Sequence, residues 1–412
     1  MTSTPSLTPT ASTNARPLPL AGVRILAVEQ YGAGPFGSSY LADMGAEVIK
    51  VENHQDGGDV GRTVGPHFFG PGDSQFFQTF NRNKKSITLD LKHPEGKALL
   101  RKLVGDADAI LNNLRGDLPA KLGLTYDALK DVNPAIVCAH LSAYGREGSR
   151  AAWPGYDYLM QAEAGHMSMT GDPEGPPTRY GLSIVDLMTG LAMAYGLLAG
   201  VVAARTSGQG TDVDTSLFDV SVHNLNYPGT WYLNAGAVTG RTARSGHPSL
   251  SPSELYRTAD GWLFVMCNKP KFWSLFADGL GHPEWKEDPR FVDYRQRLAN
   301  RAELTRLIDE ALMARSTQEW MEGLSGKVPV APVNDIRQAL ENDFVHEREL
   351  VRDFEYGDGR KARLLANPIR ITGVDLPNKA APSMGEHTEE VLRDAGLTQE
   401  QIDTLRSKGV IA

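Results

Sequence analysis

The chain has 412 residues, 41% apolar and 22% charged, enough to bury a sizeable core in roughly two or three domains. Its net charge of −8 argues against a protein that grips nucleic acid through a broad basic surface, while leaving room for a local basic patch around a small anion. The two cysteines, Cys138 and Cys267, stand in apolar runs, with no CxxC, HExxH or Cys/His cluster nearby. That argues against a metal site and fits a reducing, cytoplasmic setting.

Residues 1–17 are rich in Ser, Thr and Pro and lack the basic start and apolar centre of a secretory signal, so they read as a disordered lead-in. Residues 23–28 read as a strand, followed by a glycine-rich turn and a helix to residue 44. Residues 47–52 alternate as a strand does, which completes a βαβ unit. Further strands are expected over 86–91, 109–112 and 134–141, with a helix over 94–104. Such alternation implies a parallel sheet covered by helices. Residues 150–185 are loop-rich, and a long helix is expected from 187 to about 205. Its uncharged run, 187–204, is long enough for a membrane span, but its glycines and alanines and the preceding Asp186 favour a core helix. A strand over 212–217 follows.

From about residue 220 the pattern becomes that of a smaller α+β unit, with strands over 255–256 and 262–267 and helices over 271–280 and 302–324. The tail offers a short strand at 332–333, a helix over 335–341, a strand-like stretch over 362–372 and a last helix over 388–405. The expected fold is therefore α/β: a Rossmann-like large domain from 18–220 and 329–412, with a smaller α+β domain, 221–328, inserted.

Four features carry chemistry. Gly32-x-Gly34-x-x-Gly37 follows a strand and opens a helix, and Glu52 closes the next strand. This matches a dinucleotide fingerprint, in which glycines admit a pyrophosphate and an acid holds the ribose; the same glycines also serve tight packing alone. A basic segment containing Arg82, Lys84 and Lys85 precedes one expected strand, and Asn113 and Arg115 follow another. Cations at strand ends hold phosphates in the ligand crevice of an open sheet, or stand solvated on the surface. Asp186 opens the long helix. It suits an N-cap, and an ionised Asp held by helix-end donors is also able to attack an activated carbonyl. Finally, Gly155-Tyr156-Asp157 and the glycine-bracketed segment around His166 offer groups to hold a carboxylate or an oxyanion.

Taken together these segments resemble the class III coenzyme A-transferases, from about residue 18 to 411. The marks are Gly34-Pro35, Gly45-Ala-Glu-Val-Ile-Lys-Val-Glu52, Asn81-Arg-Asn-Lys-Lys-Ser86, Gly155-Tyr-Asp157, Asp186-Leu-Met-Thr-Gly190, Thr206-Ser-Gly-Gln-Gly210, Pro332-Val-Asn334 and Gly385-Glu-His-Thr388. The resemblance implies that Asp186 is a covalent nucleophile and that coenzyme A or acyl-CoA is bound as substrate, with no tightly held cofactor. It implies an interlocked homodimer. It implies CoA contacts at Tyr31, Gly32, Ala33, Arg82, Lys84, Lys85, Asn113, Arg115 and Lys121, with Arg115 and Lys121 on phosphates. Tyr156, Asp157, His166, Arg179 and His247 are the expected acid-substrate contacts, and the backbone around Gly165 and His247 the expected oxyanion donors. The related α-methylacyl-CoA racemases carry a His where Tyr156 stands, which favours transfer over racemisation here. The glycine-rich run of formyl-CoA transferases is replaced by residues 245–252, so oxalate and formate are not expected substrates. A C4-like dicarboxylate is the expected acceptor. A racemase and an NAD-dependent oxidoreductase stand as the alternatives.

Overall fold

A computed structural model describes residues 16–412, so most of the expected lead-in lies outside the described residues. Two compact units divide the chain: one from 16–160, 183–223 and 346–412, the other from 161–182 and 224–345.

The first unit is built on β1 (Arg24–Val28), α1 (Ala33–Asp43), β2 (Glu47–Glu52), β3 (Lys85–Thr88), α2 (Pro94–Val104), β4 (Ala109–Asn112), β5 (Val137–Ser142), α3 (Asp157–Glu163, of which the first residues belong here), α4 (Ile184–Ser207) and β6 (Thr211–Ser216). The strands form a six-stranded sheet in the order β3-β2-β1-β4-β5-β6, parallel at every pairing. This is the expected α/β class, and the order reverses direction between β1 and β4. Strands β1, β2, β4 and β5 are almost wholly buried, as strands covered on both faces must be, whereas the edge strand β6 is buried only at Ser216. One apolar cluster, including Ile25, Leu111, Val137 and Leu197, lies between the sheet and α1 and α4; another, including Leu26, Ile49, Leu99 and Ile110, lies on the opposite face with α2 and the C-terminal residues Ile402 and Ile411.

The long apolar helix is longer than expected and begins earlier, at Ile184. By length and composition it passes the test for a membrane span. In the fold its buried residues pack against β5, β6 and α1, as expected of a core helix. Glycine makes the α1–α4 contact possible. A Cβ on Gly37 would collide with the Gly190 carbonyl, and one on Gly190 with the Ala33 carbonyl. The Gly385-Glu-His-Thr388 segment docks on β3, where the Ser86 hydroxyl receives the Gly385 N–H at 2.9 Å and the Thr388 hydroxyl receives the Thr88 N–H at 3.0 Å.

The second unit has its own three-stranded antiparallel sheet, Val330–Pro332, Trp262–Met266 and Ser253–Arg257 in that order. Its core is aromatic-rich, with Tyr256, Trp273, Phe276, Phe291 and Trp320. These limits differ from the expected 221–328. The strand Val330–Pro332 pairs with Trp262–Met266 and carries the unit on to residue 345, and the loop-rich 161–182 joins it as well. The helix expected over 302–324 is two helices, Arg301–Leu312 and Thr317–Leu324, because Ser316 and Glu319 form a capping box that starts a new one.

Candidate active site

In an open parallel sheet the ligand crevice lies beyond the C-terminal ends of the strands where the order reverses. Here that is the gap between β1 and β4. A pocket there is lined by Tyr31, Gly32 and Ala33 after β1, Asn113 and Arg115 after β4, Leu141 and Ala143 at the end of β5, Trp153, Tyr156, Leu217 and Asp186.

The two loops at the reversal are clasped. The Asn113 side chain accepts the Gln30 N–H at 2.9 Å and donates to the Gln30 carbonyl at 2.7 Å. Gly34 lets Asn113 approach, since a Cβ there would stand 3.0 Å from it. Tyr31 holds a left-handed backbone, φ 68°, which costs a non-glycine residue about 1 kcal/mol or more. Asp59 offsets this cost: its carboxylate accepts the Tyr31 N–H at 2.9 Å and is paired with Lys50 at 2.7 Å, both side chains fully buried.

Asp186 stands in the first turn of α4 and is 8% exposed. The cap position itself belongs to Ser183, which corrects the expectation that Asp186 is the N-cap. One carboxylate oxygen lies over Gly32, where an added Cβ would stand 2.8 Å from it. The backbone N–H of Asp186 donates to Asp157 Oδ2 at 2.9 Å. Burial, with Asp157 adding its charge, pushes the Asp186 carboxyl up to about 7. The helix end was expected to keep this carboxyl fully ionised at neutral pH; desolvation and a neighbouring acid outweigh it. Burial and then Asp186 also raise the Tyr31 phenol. Tyr31 and Tyr156 meet edge to face at 6.4 Å on the pocket rim.

The basic segment is not where it was expected. Arg82 is buried and bonded to Asp43 at 2.7 Å, beneath the ring of Phe354. Lys84 is fully buried and donates to Glu29, Asn81 and the Pro35 carbonyl, and burial pulls its pKa down to about 8. Lys85 bridges Glu47 and Glu390. None of the three lines the pocket, because acids distant in sequence hold them. Arg115 and Lys121 do sit together after β4, sharing Asp117 at 2.5 and 2.6 Å with their side chains largely exposed. One carboxylate between two cations leaves a net positive charge suited to a phosphate.

Glu52 is 3% exposed and bonded to Arg62 at 2.6 Å, to the Ser86 hydroxyl at 2.6 Å and to the Asp59 N–H at 3.0 Å. Burial opposes its charge, yet Arg62 and Lys50 prevail and hold it down to about 2. An acid so occupied cannot serve as the ribose acceptor of a nicotinamide site, and Gly34 and Gly37 instead admit the close approach of Asn113 and Gly190.

His166, Arg179 and His247 belong to the second unit. Arg179 donates to the carbonyls of Tyr180 and Gly181. His247 stacks on Tyr227, and burial and then Arg301 lower its pKa. The N–H groups of Gly165 and His247 themselves donate to the carbonyls of Ala162 and Ser253. Sequence reasoning missed the apolar wall of Leu141, Ala143, Trp153 and Leu217, the Gln30–Asn113 clasp and the bond between Asp157 and Asp186. Of these, the Gly-Tyr-Asp triplet shortly before the long helix was the one visible sign.

Similarity to known proteins extends over nearly the whole chain. Residues 20–388 match the model of CoA-transferase family III. The chain is 33% identical to a succinate–glutarate CoA-transferase of Agrobacterium fabrum, across 91% of this chain and 95% of that one. It is 33% identical to an acetyl-CoA:oxalate CoA-transferase of Acetobacter aceti, across 92% and 96%. A crystal structure of a CAIB/BAIF family protein from Brucella suis superposes with a TM-score of 0.81 at 30% identity, covering 92% of this chain and all of that one. The resemblance read from the motifs is thereby confirmed, and the chain belongs to CoA-transferase family III, enzymes that move coenzyme A between acyl-CoA thioesters and carboxylic acids.

Proposed function

We propose that Asp186 is the nucleophile of a transferase that carries coenzyme A from succinyl-CoA or a similar donor to a dicarboxylate. The observation that carries this reading is a buried carboxylate set at the β1–β4 crevice, with an oxygen over Gly32 and no side chain between them. The Asp186 carboxylate attacks the thioester carbonyl; the C–S bond breaks and CoA leaves as thiolate, giving a mixed anhydride. The thiolate then attacks the aspartyl carbonyl and releases the donor acid. The acceptor carboxylate attacks the aspartyl–CoA thioester and frees the thiolate once more. Attack of that thiolate on the acyl carbon of the new anhydride yields the product thioester and restores Asp186. Starting from the ionised Asp186, no proton is gained or lost in these steps.

Both intermediates are hydrolysable, and the Tyr31–Tyr156 rim and the apolar wall of the pocket help to exclude water. Arg115 and Lys121 are the phosphate partners in this scheme. Glutarate and oxalate, the acids named for two relatives, share a second carboxylate, which supports a dicarboxylate acceptor. We further propose a cytoplasmic interlocked homodimer. Exposed apolar residues on α4, among them Tyr195 and Val202, support a partner surface, and the two free buried cysteines support a reducing compartment.

Incubation with succinyl-CoA followed by peptide mapping tests the reading. A CoA adduct on Asp186, or its hydroxamate after hydroxylamine, is the expected result. Full transferase activity in Asp186→Ala overturns it. Deuterium uptake at the α-carbon of a 2-methylacyl-CoA without acceptor acid would mark a racemase instead.

A further inference from the structure

The reaction needs Asp186 to present a carboxylate oxygen in one direction, and a surface turn would not hold it there. Ser183, at the cap of α4, makes no side-chain capping bond. The first-turn N–H groups of a helix require acceptors, and at this end the third residue is the nucleophile itself. Its N–H is satisfied from elsewhere in the chain. Asp157, the first residue of α3, is 3% exposed and receives it at 2.9 Å. The same triplet places Tyr156 on the pocket rim, so one turn supplies both the rim and the cap.

We infer that Asp157 is a positioning residue for the nucleophile rather than a contact for the acid substrate: it caps the Asp186 N–H from a second helix. This rests on the reading of Asp186 as nucleophile. The titratable groups facing Asp186 are Asp157 from α3 and Tyr31 from the β1–α1 turn; Tyr156 and the Asp117-bound Arg115 lie on the same pocket. The first turn of α4 holds no second acid and no cation. Asp157 is thus the anion able to discourage ionisation of Asp186. In the resting pocket burial, with Asp157 adding its charge, keeps part of the Asp186 population in the protonated, unreactive form near pH 7.

Two variants separate the cap from the charge. D157N keeps an oxygen to accept the N–H but removes the charge; D157A removes both. For D157N we expect kcat within about threefold of wild type and the acid limb of kcat/KM moved down by about one pH unit. For D157A we expect kcat to fall about 10- to 100-fold with the KM for succinyl-CoA nearly unchanged, as follows from a misdirected nucleophile. A purely structural residue would lower the active fraction in both variants without moving the pH midpoint. Peptide mapping after succinyl-CoA accompanies each assay. An adduct on Asp186 in wild type, together with an unmoved midpoint in D157N, overturns the role of Asp157 and leaves the nucleophile standing. Wild-type kcat and adduct rate in D157A do the same. Absence of any adduct on wild-type Asp186, with full activity in Asp186→Ala, overturns both.

Discussion

Asp186→Asn should make the protein more stable while abolishing its activity. The carboxyl is 8% exposed, and its ionisation midpoint stands at about 7 where an ordinary aspartate has 3.8. Each pH unit of displacement corresponds to about 1.4 kcal/mol, so the ionised group costs the folded state up to about 4 kcal/mol. The cost has a defined pH window. Below about pH 4 the carboxyl is protonated whether the chain is folded or not, and wild type and variant should be equally stable apart from a constant offset. Between about pH 4 and 7 the unfolded chain releases its proton first, so wild type loses stability as pH rises. Above about pH 7 the gap is complete. Asn has the same shape and no charge to desolvate, so it escapes this loss. Urea unfolding of both proteins at pH 4 and pH 8, followed by circular dichroism, measures the gap, and hydrogen exchange across Ile184–Ser207 locates it. A gain that grows by about 2–4 kcal/mol between the two pH values fits the structure. An equal difference at both would show that Asp186 is not held protonated by its surroundings, and the reasoning would fail.

The same midpoint predicts that kcat/KM falls about tenfold per pH unit below about pH 7, in a rate profile measured with succinyl-CoA. Gly37→Ala should destabilise the first unit by about 1–3 kcal/mol in urea titration, because the new methyl meets the Gly190 carbonyl and the helices must part. Lys84→Met should cost about 3–5 kcal/mol by leaving Glu29 buried without its cation, and should change KM for acyl-CoA little; a large rise in KM with unchanged stability would return Lys84 to the binding site. Arg115→Ala should raise KM for succinyl-CoA about tenfold and weaken the salt dependence of binding, with kcat retained, as steady-state kinetics at two ionic strengths would show.

Much of the first unit was legible because its strands are short apolar runs separated by turn residues. Glu47–Glu52, Pro94–Val104 and Ala109–Asn112 fall where the periodicity put them. The start of α4 was misplaced because Ile184 and Val185 are β-branched and read as a continuation of the loop, while Ser183 is an inconspicuous cap. The last helix, expected over 388–405, is broken at Gly396, whose φ is 82°, and restarts with the Thr398 capping box. The strand expected over 362–372 stops at Leu365, shortly before Asn367 and Pro368. Asp186 was found by its place before the apolar helix. The fate of Arg82 and Lys84 was not legible: a cation in a row of cations reads as surface, and the acids that bury them, Asp43 and Glu29, lie 39 and 55 residues away.

Glu52 has a practical consequence for anyone sorting genomes by short motifs. A scan that rewards three spaced glycines followed by an acid at the next strand end would file this chain with the dehydrogenases. The false positive is removed by one chemical question, namely whether the acid has a lone pair left to offer. Here Arg62, Ser86 and the Asp59 amide occupy both oxygens, so the carboxylate behaves as a rivet between neighbouring segments. Scoring the trailing acid by its vacancy rather than its presence would separate such look-alikes without reference to ancestry.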